Sequence, residues 1–401
     1  MRVAILRRFP KASFSMDVYA DRLVDGLKTV RPDWTILEYY PQYSVSGAGA
    51  AKGMAGIQKY YERYWRYPHR LKQIEADVFH IIDHSDGDLS RWLRRLGRPN
   101  VVTCHDLINL IQPETFKGRA RFPLISMTAW RWGIAGMRQA DRLITVSSHT
   151  KQDVIEHLNI PAQHVTIVPN AVDRAFCRLS PEERQMARDR HSLPPHTFCL
   201  LNVGSNNARK NISGILAAIA DLKQQGIPIH FWKVGADFTE AQRQFIQTHA
   251  LTTCVAHLGQ PDEQDLIRLY NAADCLMAPS FYEGFGLTIL EAMACGTPVI
   301  TGNVSAMPEV AGDAAILVDP NNRAAIAQAV KQLYSHPEDR QTLAQKGLER
   351  VKQFAWENTA EQVACIYEQI SFKANTSSPS LPSGLSPHPM PSESTPIDSF
   401  R

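Results

Sequence analysis

The chain has 401 residues, 44% of them hydrophobic and 21% charged, with a net charge of +3. That length exceeds what one hydrophobic core usually serves, so two domains are expected, and so small a net charge argues against wholesale nucleic-acid binding. The charge is unevenly spread: residues 1–172 carry 24 Lys and Arg against 16 Asp and Glu, and the remainder 19 against 24. A basic first half suits an anionic partner such as phosphate, acidic glycan or a lipid surface, and equally a solvated basic face.

Seven cysteines (104, 177, 199, 254, 275, 295 and 365) are scattered, with no CxxC or Cys/His zinc spacing. They read as reduced, buried thiols of a cytoplasmic protein and not as a disulfide framework. The opening "MRVAILRRFP" holds only four consecutive apolar residues, so it reads as a first strand and not as a signal peptide. No run approaches the roughly 18–20 apolar residues that span a bilayer.

In chain order, Val3–Leu6 reads as a buried strand, and 16–30 as a helix with Ser15 as its N-cap. Segments 35–40, 77–83, 101–106, 142–147 and 165–170 read as further strands, with helices at 126–139 and 149–158 among those between them. The stretch "IQKYYERYWRYPHRLKQI" (57–74) interleaves aromatic and basic residues. A membrane-interface helix, a sugar-binding surface and an ordinary packed helix all fit it. After a polar, helix-like connector at 174–193 the pattern restarts. Strands are expected at 197–204, 229–235, 255–259, 274–280, 297–301 and 314–319, with helices at 211–225, 239–249, 262–272 and 286–294 between them. Alternating strands and helices imply parallel sheets covered on both faces, hence an α/β protein of two consecutive doubly wound domains. The expected bounds are 1–173 and 195–350, then closing helices at 351–372. The Ser/Pro-rich stretch 373–401 is too poor in apolar residues to order itself.

Ligands of open α/β sheets bind beyond the carboxyl ends of the strands. "VGSNNARKN" (203–211) follows one such strand and sets Arg209 and Lys210 just before a helix, where two cations can neutralise a diphosphate; a solvated turn is the plainer reading. "FYEGFGLTILE" (281–291) is sharper. Gly284 and Gly286 let the backbone approach a ligand, and the helix they open offers free N–H groups to an anion. Glu283 stands at its mouth, and Glu291 lies about two turns into the helix, with seven residues between them. Singly, each acid is best read as an ordinary helix acid; jointly they suit a sugar and a ribose diol. Asp86-Gly87-Asp88 has the spacing of a metal-binding pair, but reads as an acidic loop pair in the first domain.

At this point the chain resembles the retaining glycosyltransferases of family 4, which have the GT-B fold. Glu283 and Glu291 match that family's pair of spaced glutamates. "ITVSSHTKQDV" (144–154), "IVPNAVD" (167–173, with Ala171 for glycine), "VGSNNARKN", "HLGQPDEQDLIRLYNAADCLMAPSFYEGFG", "MPEVAGDAAILVDP" and "FAWENTAEQVACIYEQ" follow its motifs in order, over roughly residues 75–370. The resemblance implies two Rossmann-like domains facing a cleft, with the C-terminal helix crossing back to the first. It implies transfer of a sugar from a UDP- or GDP-linked donor to a glycan, lipid or small-molecule acceptor, with retention of configuration and without a metal or other cofactor. Arg209 and Lys210 would bind the diphosphate; Glu283, the sugar hydroxyls; Glu291, the ribose. Gly204, Gly284, Phe285, Gly286 and Leu287 would line the donor site, and His105 of "TCHDL" would reach the sugar across the cleft. A peripheral contact through 57–74 with the inner face of a membrane is a further expectation.

Two departures stand out. The first loop, "RRFPKASFSMDVYADRL" (7–23), lacks the family's glycines and offers Arg7, Arg8, Lys11, Ser13 and Ser15 instead. Ser205 stands where many members carry arginine. A degenerate GT-B binding protein and a nucleotide-sugar epimerase remain the alternatives. A glycan phosphorylase would need a pyridoxal-binding lysine site that the sequence does not display.

Overall fold

The computed structural model describes residues 1–9, 14–42, 58, 60–112 and 123–377. Lys11, Ser13 and Lys59 lie outside this set, as do residues 378–401 of the expected tail.

The first sheet is built from β1 (Arg2–Leu6), β2 (Thr35–Tyr39), β3 (Val78–Ile81), β4 (Asn100–Cys104), β5 (Arg142–Thr145) and β6 (Val165–Ile167). All pairings are parallel, in the order β2-β1-β3-β4-β5-β6. The second sheet holds β7 (Phe198–Gly204), β8 (Ile229–Gly235), β9 (Val255–His257), β10 (Cys275–Ala278), β11 (Val299–Gly302) and β12 (Ile316–Val318). Its order is β12-β11-β10-β7-β8-β9, again parallel. Each order reverses direction once, between β1 and β3 in the first sheet and between β7 and β10 in the second. Such reversals open a crevice at the strands' carboxyl ends.

The strands are continuous apolar runs because helices cover both faces of each sheet. On the first sheet lie α1 (Phe14–Val30), α2 (Leu89–Arg95), α3 (Pro123–Gly136) and α4 (Ser148–Leu158). A connector helix, α5 (Pro181–Arg190), carries a full capping box from Ser180 and Glu183. The second sheet is covered by α6 (Ile212–Gln224), α7 (Glu240–Thr248), α8 (Glu263–Ala272), α9 (Leu287–Ala294), α10 (Arg323–Ser335) and α11 (Pro337–Arg350). The final helix, α12 (Trp356–Ser377), returns to the first sheet. Its Ala360, Val363, Ala364 and Tyr367 pack with Val3, Ile5, Leu23 and Leu27 in one core.

Several local expectations change, and Cys177 and Cys365, expected to be buried, are exposed. α1 begins at Phe14, so Ser15 sits in its first turn and does not precede it. α12 continues to Ser377, beyond the expected end at 372. Over 60–73 the chain is a broken helix: a π-helical turn at Glu62–Arg66, an α turn at Tyr67–Arg70 and a 3₁₀ turn at Leu71–Gln73. Asp86 and Asp88 form no open loop pair. Both are buried, and Arg63 donates from Nε to Asp86 Oδ1 at 2.6 Å. Burial, with the charge of Asp86, pushes Asp88 up to about 7.

One polar contact ties α12 into the first core. The Tyr367 hydroxyl meets His80 Nδ1 at 2.6 Å, and His80 Nε2 meets Thr103 Oγ1 at 2.7 Å. All three side chains are fully buried. Burial, with the charge of His105, lowers His80 to about 3, so it stays neutral. Tyr367→Phe leaves a buried ring nitrogen unpaired and should cost about 1–3 kcal/mol in urea unfolding. An unfolded histidine takes up its proton near 6.5, well before the folded one does. Stability should therefore fall as pH drops from about 6.5 towards 3, and His80→Gln should flatten that slope.

Candidate donor site

The crevice between β7 and β10 collects the residues singled out above. β7 ends at Gly204, and the chain then turns through a short 3₁₀ segment, Ala208–Lys210. Asn211 follows in a left-handed conformation (φ 56°) and caps α6. Its amide donates to the carbonyls of Pro279 and Pro320, at 3.1 and 2.7 Å, and so ties this turn to the loops after β10 and β12. The turn thereby holds Arg209 and Lys210 above the loop that leads into α9.

Both cations converge on one acid. Arg209 Nη1 lies 2.5 Å from Glu283 Oε2, and Lys210 Nζ lies 2.6 Å from Oε1. Ser280 Oγ donates to Oε1 at 2.8 Å, and Arg209 also donates to the Tyr282 carbonyl at 2.9 Å. Burial alone would raise the Glu283 carboxyl, but the charges and hydrogen bonds of Lys210 and Arg209 outweigh it and hold the group at about 2. Burial works against Arg209 too, yet Glu283 keeps it above its ordinary value. Glu283 is therefore ionised across the working pH range, and it pairs with the cations that a diphosphate would need.

Gly286 starts α9 at φ 105°, a backbone region that few residues other than glycine adopt. No side chain caps this helix, so its first N–H groups face the crevice uncapped. Leu287 is its first residue. Phe285 is buried in the core of the second sheet, against Phe354. Its backbone, and not its ring, is what this loop can offer a ligand. Gly204, at φ 131°, lies under the Lys210 side chain. Further along α9, Glu291 Oε2 accepts from the Tyr270 hydroxyl at 2.6 Å. Burial pushes the Glu291 carboxyl up to about 7 against that hydrogen bond and the charge of Lys210.

The two halves of the molecule touch at Gly284. Its carbonyl accepts from Ser147 Oγ (2.7 Å) and Thr150 Oγ1 (3.1 Å), at the N-terminus of α4. A Cβ on Gly284 would stand 2.0 Å from the His105 carbonyl oxygen. Tyr282 donates to Asp153 at 2.5 Å, and Glu309 accepts from the Ser148 backbone N–H at 2.9 Å. His105 is thus at the seam. Its ring donates from Nε2 to the Ile82 carbonyl (2.9 Å) and packs edge-on against Tyr19. Burial lowers it, so the ring is neutral and Nδ1 is an acceptor.

Several participants carry no motif. Ser305, at φ 61°, brackets Glu283: its hydroxyl accepts the Glu283 N–H at 2.9 Å and donates to the Glu283 carbonyl. Lys233 is fully buried in β8 and donates to the carbonyls of Gly204 (2.7 Å) and Val234 (2.8 Å). Burial and the charge of Lys210 lower it to about 8. The one sequence signal for Lys233 is a lysine inside an apolar strand, "IHFWKVG". Among the described residues no group of three or more His, Cys, Asp and Glu is arranged to hold a metal ion.

Solved structures that share this arrangement of two sheets show the same GT-B fold. Sucrose-phosphate synthase from Thermosynechococcus elongatus superposes with a TM-score of 0.71 at 22% identity, over 93% of this chain and 100% of that one. HepE from Anabaena, solved with UDP-glucose, gives 0.72 at 19% identity, over 92% and 100%. WaaG, a glycosyltransferase involved in lipopolysaccharide biosynthesis, gives 0.68 at 16%, over 92% and 99%. Sequence profiles place the chain more narrowly. "Glycosyltransferase Family 4" matches residues 6–176, and "Glycosyl transferases group 1" matches 183–350. The O-antigen chain mannosyltransferase B of Escherichia coli is 32% identical over 272 residues, 67% of this chain and 70% of that protein. The serotype-specific mannosyltransferase WbdA of Escherichia coli is 28% identical over 72% of this chain but only 36% of its own length. The chain belongs to the group 1, family 4 glycosyltransferases.

Gly284→Ala tests the seam. Its methyl group cannot fit beside the His105 carbonyl, so the loop or the opposing domain must shift. A displacement of about 1 Å at such a seam should lower kcat by about 100-fold. The variant should still bind a nucleoside diphosphate in calorimetry, because Arg209, Lys210 and the start of α9 all lie on one side of the seam.

Proposed function

We propose that this glycosyltransferase takes a sugar from a nucleoside-diphosphate donor, with the donor lying in the β7–β10 crevice. The observation that carries this reading is the convergence of Arg209, Lys210 and the uncapped start of α9 around Glu283. Negative charge grows on the leaving diphosphate as the glycosidic bond breaks. Two fixed cations and oriented N–H groups stabilise that charge without reorganising. As the phosphates take over Arg209 and Lys210, the Glu283 carboxylate becomes free to accept hydrogen bonds from the sugar hydroxyls. Gly204 and the Gly284–Leu287 backbone line the phosphate and sugar, and Glu291 receives the ribose diol. His105, neutral, offers a hydrogen bond to the sugar from the opposite domain. The chemistry asked of these side chains needs no metal.

Retention of configuration is part of the proposal. Glu283 is assigned to the sugar hydroxyls, and no other carboxylate of the site is assigned as a nucleophile. The acceptor hydroxyl then approaches from the side the diphosphate leaves. The crevice between β1 and β3 suits the acceptor. There Arg8 pairs with Asp83 at 2.9 Å, and Asp83 in turn accepts from the Ser85 hydroxyl at 2.6 Å. His84 stands beside them with a buried, unpartnered Nδ1. The charge of Arg8 is already matched there, which favours a neutral saccharide hydroxyl over an anionic acceptor. The name of the relative at 32% identity makes mannose the first sugar to test, with a growing polysaccharide as its acceptor.

A thermal-shift screen of UDP-, GDP- and ADP-sugars should single out the donor, because a ligand of the native state raises stability by mass action. No shift with any of them would reject the donor site. With the donor known, Glu283→Ala should abolish transfer while diphosphate affinity is kept or improved, since a competing carboxylate is gone. Glu291→Ala should weaken nucleotide binding by about 10- to 100-fold. Donor affinity should rise with pH through about 7, as Glu291 ionises and becomes a full acceptor for the ribose. Glu291→Gln should bind more weakly and show a flat profile.

A further inference from the structure

The first domain carries a second surface that the donor chemistry does not use. Trp65 and Tyr61 are 54% and 53% exposed, Trp132 43% and Tyr60 39%. These rings are not scattered. Tyr60 stacks on Tyr64 (5.9 Å), and Tyr64 meets Trp132 (6.1 Å). Arg91 lies over the Trp132 ring at 4.6 Å and donates to the Trp132 carbonyl at 2.8 Å. Trp65 packs on His69, and His69 on Trp92, the neighbour of Arg91. One continuous aromatic face therefore runs from the broken helix at 60–73 across α2 to α3.

Its charge has one sign. Arg66, Arg95 and Arg131 are exposed on the elements that carry these rings. Across the described residues 60–73, 89–98 and 127–139 the sole acid is Glu62. Glu62 is buried and already paired with Arg66 and Arg70. The broken helix explains how both properties share one side. The π-helical turn sends Arg63 inward to Asp86 and turns Trp65 and Arg66 outward.

We propose that this face docks on an anionic lipid surface. Exposed indole and phenol rings seat at the boundary between headgroups and acyl chains, and arginines beside them draw on the negative surface potential. The absence of any exposed acid among these elements selects against a neutral saccharide as the occupant, because sugar platforms pair rings with acceptors. The face lies beside the β1–β3 crevice, to which Arg63 connects it through Asp86 and the Ser85 carbonyl. An acceptor carried on a lipid would thus be presented at the acceptor side. Among the described residues no helix is long and apolar enough to cross a membrane, so the contact is peripheral. The docking itself does not rest on the proposed donor chemistry.

The full chain should co-float with vesicles of phosphatidylcholine and phosphatidylglycerol in about 0.1 M salt, and much less with phosphatidylcholine alone or in about 0.5 M salt. Reversal of Arg66, Arg95 and Arg131 to Glu should lower the partition coefficient on the order of 100-fold, at about fivefold for each cation lost. Trp65→Ser with Trp132→Ser should remove the blue shift of tryptophan emission on vesicle binding. Lys331→Glu, on α10 of the other domain, should change neither. Nucleoside-diphosphate binding by these variants should match that of the unaltered chain, which separates loss of docking from loss of fold or of the donor site. Brominated phosphatidylglycerol should quench the tryptophans of the unaltered chain, a test that needs no variant. Failure of the unaltered chain to float on anionic vesicles, equal flotation of the triple reversal, or absence of quenching overturns the proposal. Retention on an acidic polysaccharide without flotation also overturns it, in favour of a glycan-binding face.

Discussion

The Glu283 carboxylate lies on the two cations of the β7 turn, and the second domain is organised around that cluster. It joins the loops after β7 and β10, the two strands that flank the reversal of strand order. A buried ion pair of this kind is poor evidence of stabilisation, because removing charges from water costs about as much as their attraction returns. Its value lies in exchange. On the donor reading proposed above, a diphosphate would bring its own negative charge to Arg209 and Lys210, the cations would stay compensated, and the displaced acid would be the one offered to the sugar, so that phosphate and sugar binding would be coupled through a single carboxylate.

That coupling depends on how tightly the carboxylate's own backbone is held. Residues 282–284 are clasped from both domains. Ser305 brackets Glu283 within the second domain, while α4 and β4 of the first hold Tyr282 and Gly284. The close approach of Gly284 to the His105 carbonyl leaves no room for any side chain. The glycine is therefore a seam between domains as much as a point of access for ligand. α12 completes the frame: its Tyr367 locks to the centre of the first sheet through His80, so the connection between domains has a fixed anchor at its far end.

Much of this was legible in the sequence, for physical reasons. Strands buried on both faces are unbroken apolar runs, and the alternation with amphipathic helices gave two doubly wound domains. Glycines followed by an apolar helix start made the crevice at α9 readable. What could not be read was long-range. Nothing local says that Glu283 will pair with Arg209 and Lys210, more than 70 positions earlier. Lys233 looks like a misplaced surface residue until its carbonyl partners are seen. The broken helix at 60–73 has the composition of a continuous one, and its π-helical turn at Glu62–Arg66 has no signature in the sequence. Asp86 and Asp88 read only as an acidic loop pair because their spacing is local, while Arg63, which pairs with Asp86, is 23 positions away.

The uneven charge along the chain follows from the same division of labour. The second domain needs few net cations, because Arg209 and Lys210 act at short range on a ligand that the fold encloses. In a water-poor crevice two well-placed charges exceed many distant ones. The first domain's excess of basic residues is spread over exposed elements, where a single charge is weak and screened and only a cluster acts. Arg91, over the Trp132 ring, and the exposed Arg95 and Arg131 are cations of these elements. The second domain thus gathers two cations on one buried carboxylate while the first spreads its cations over exposed elements, and the Gly284 seam is where the two domains meet.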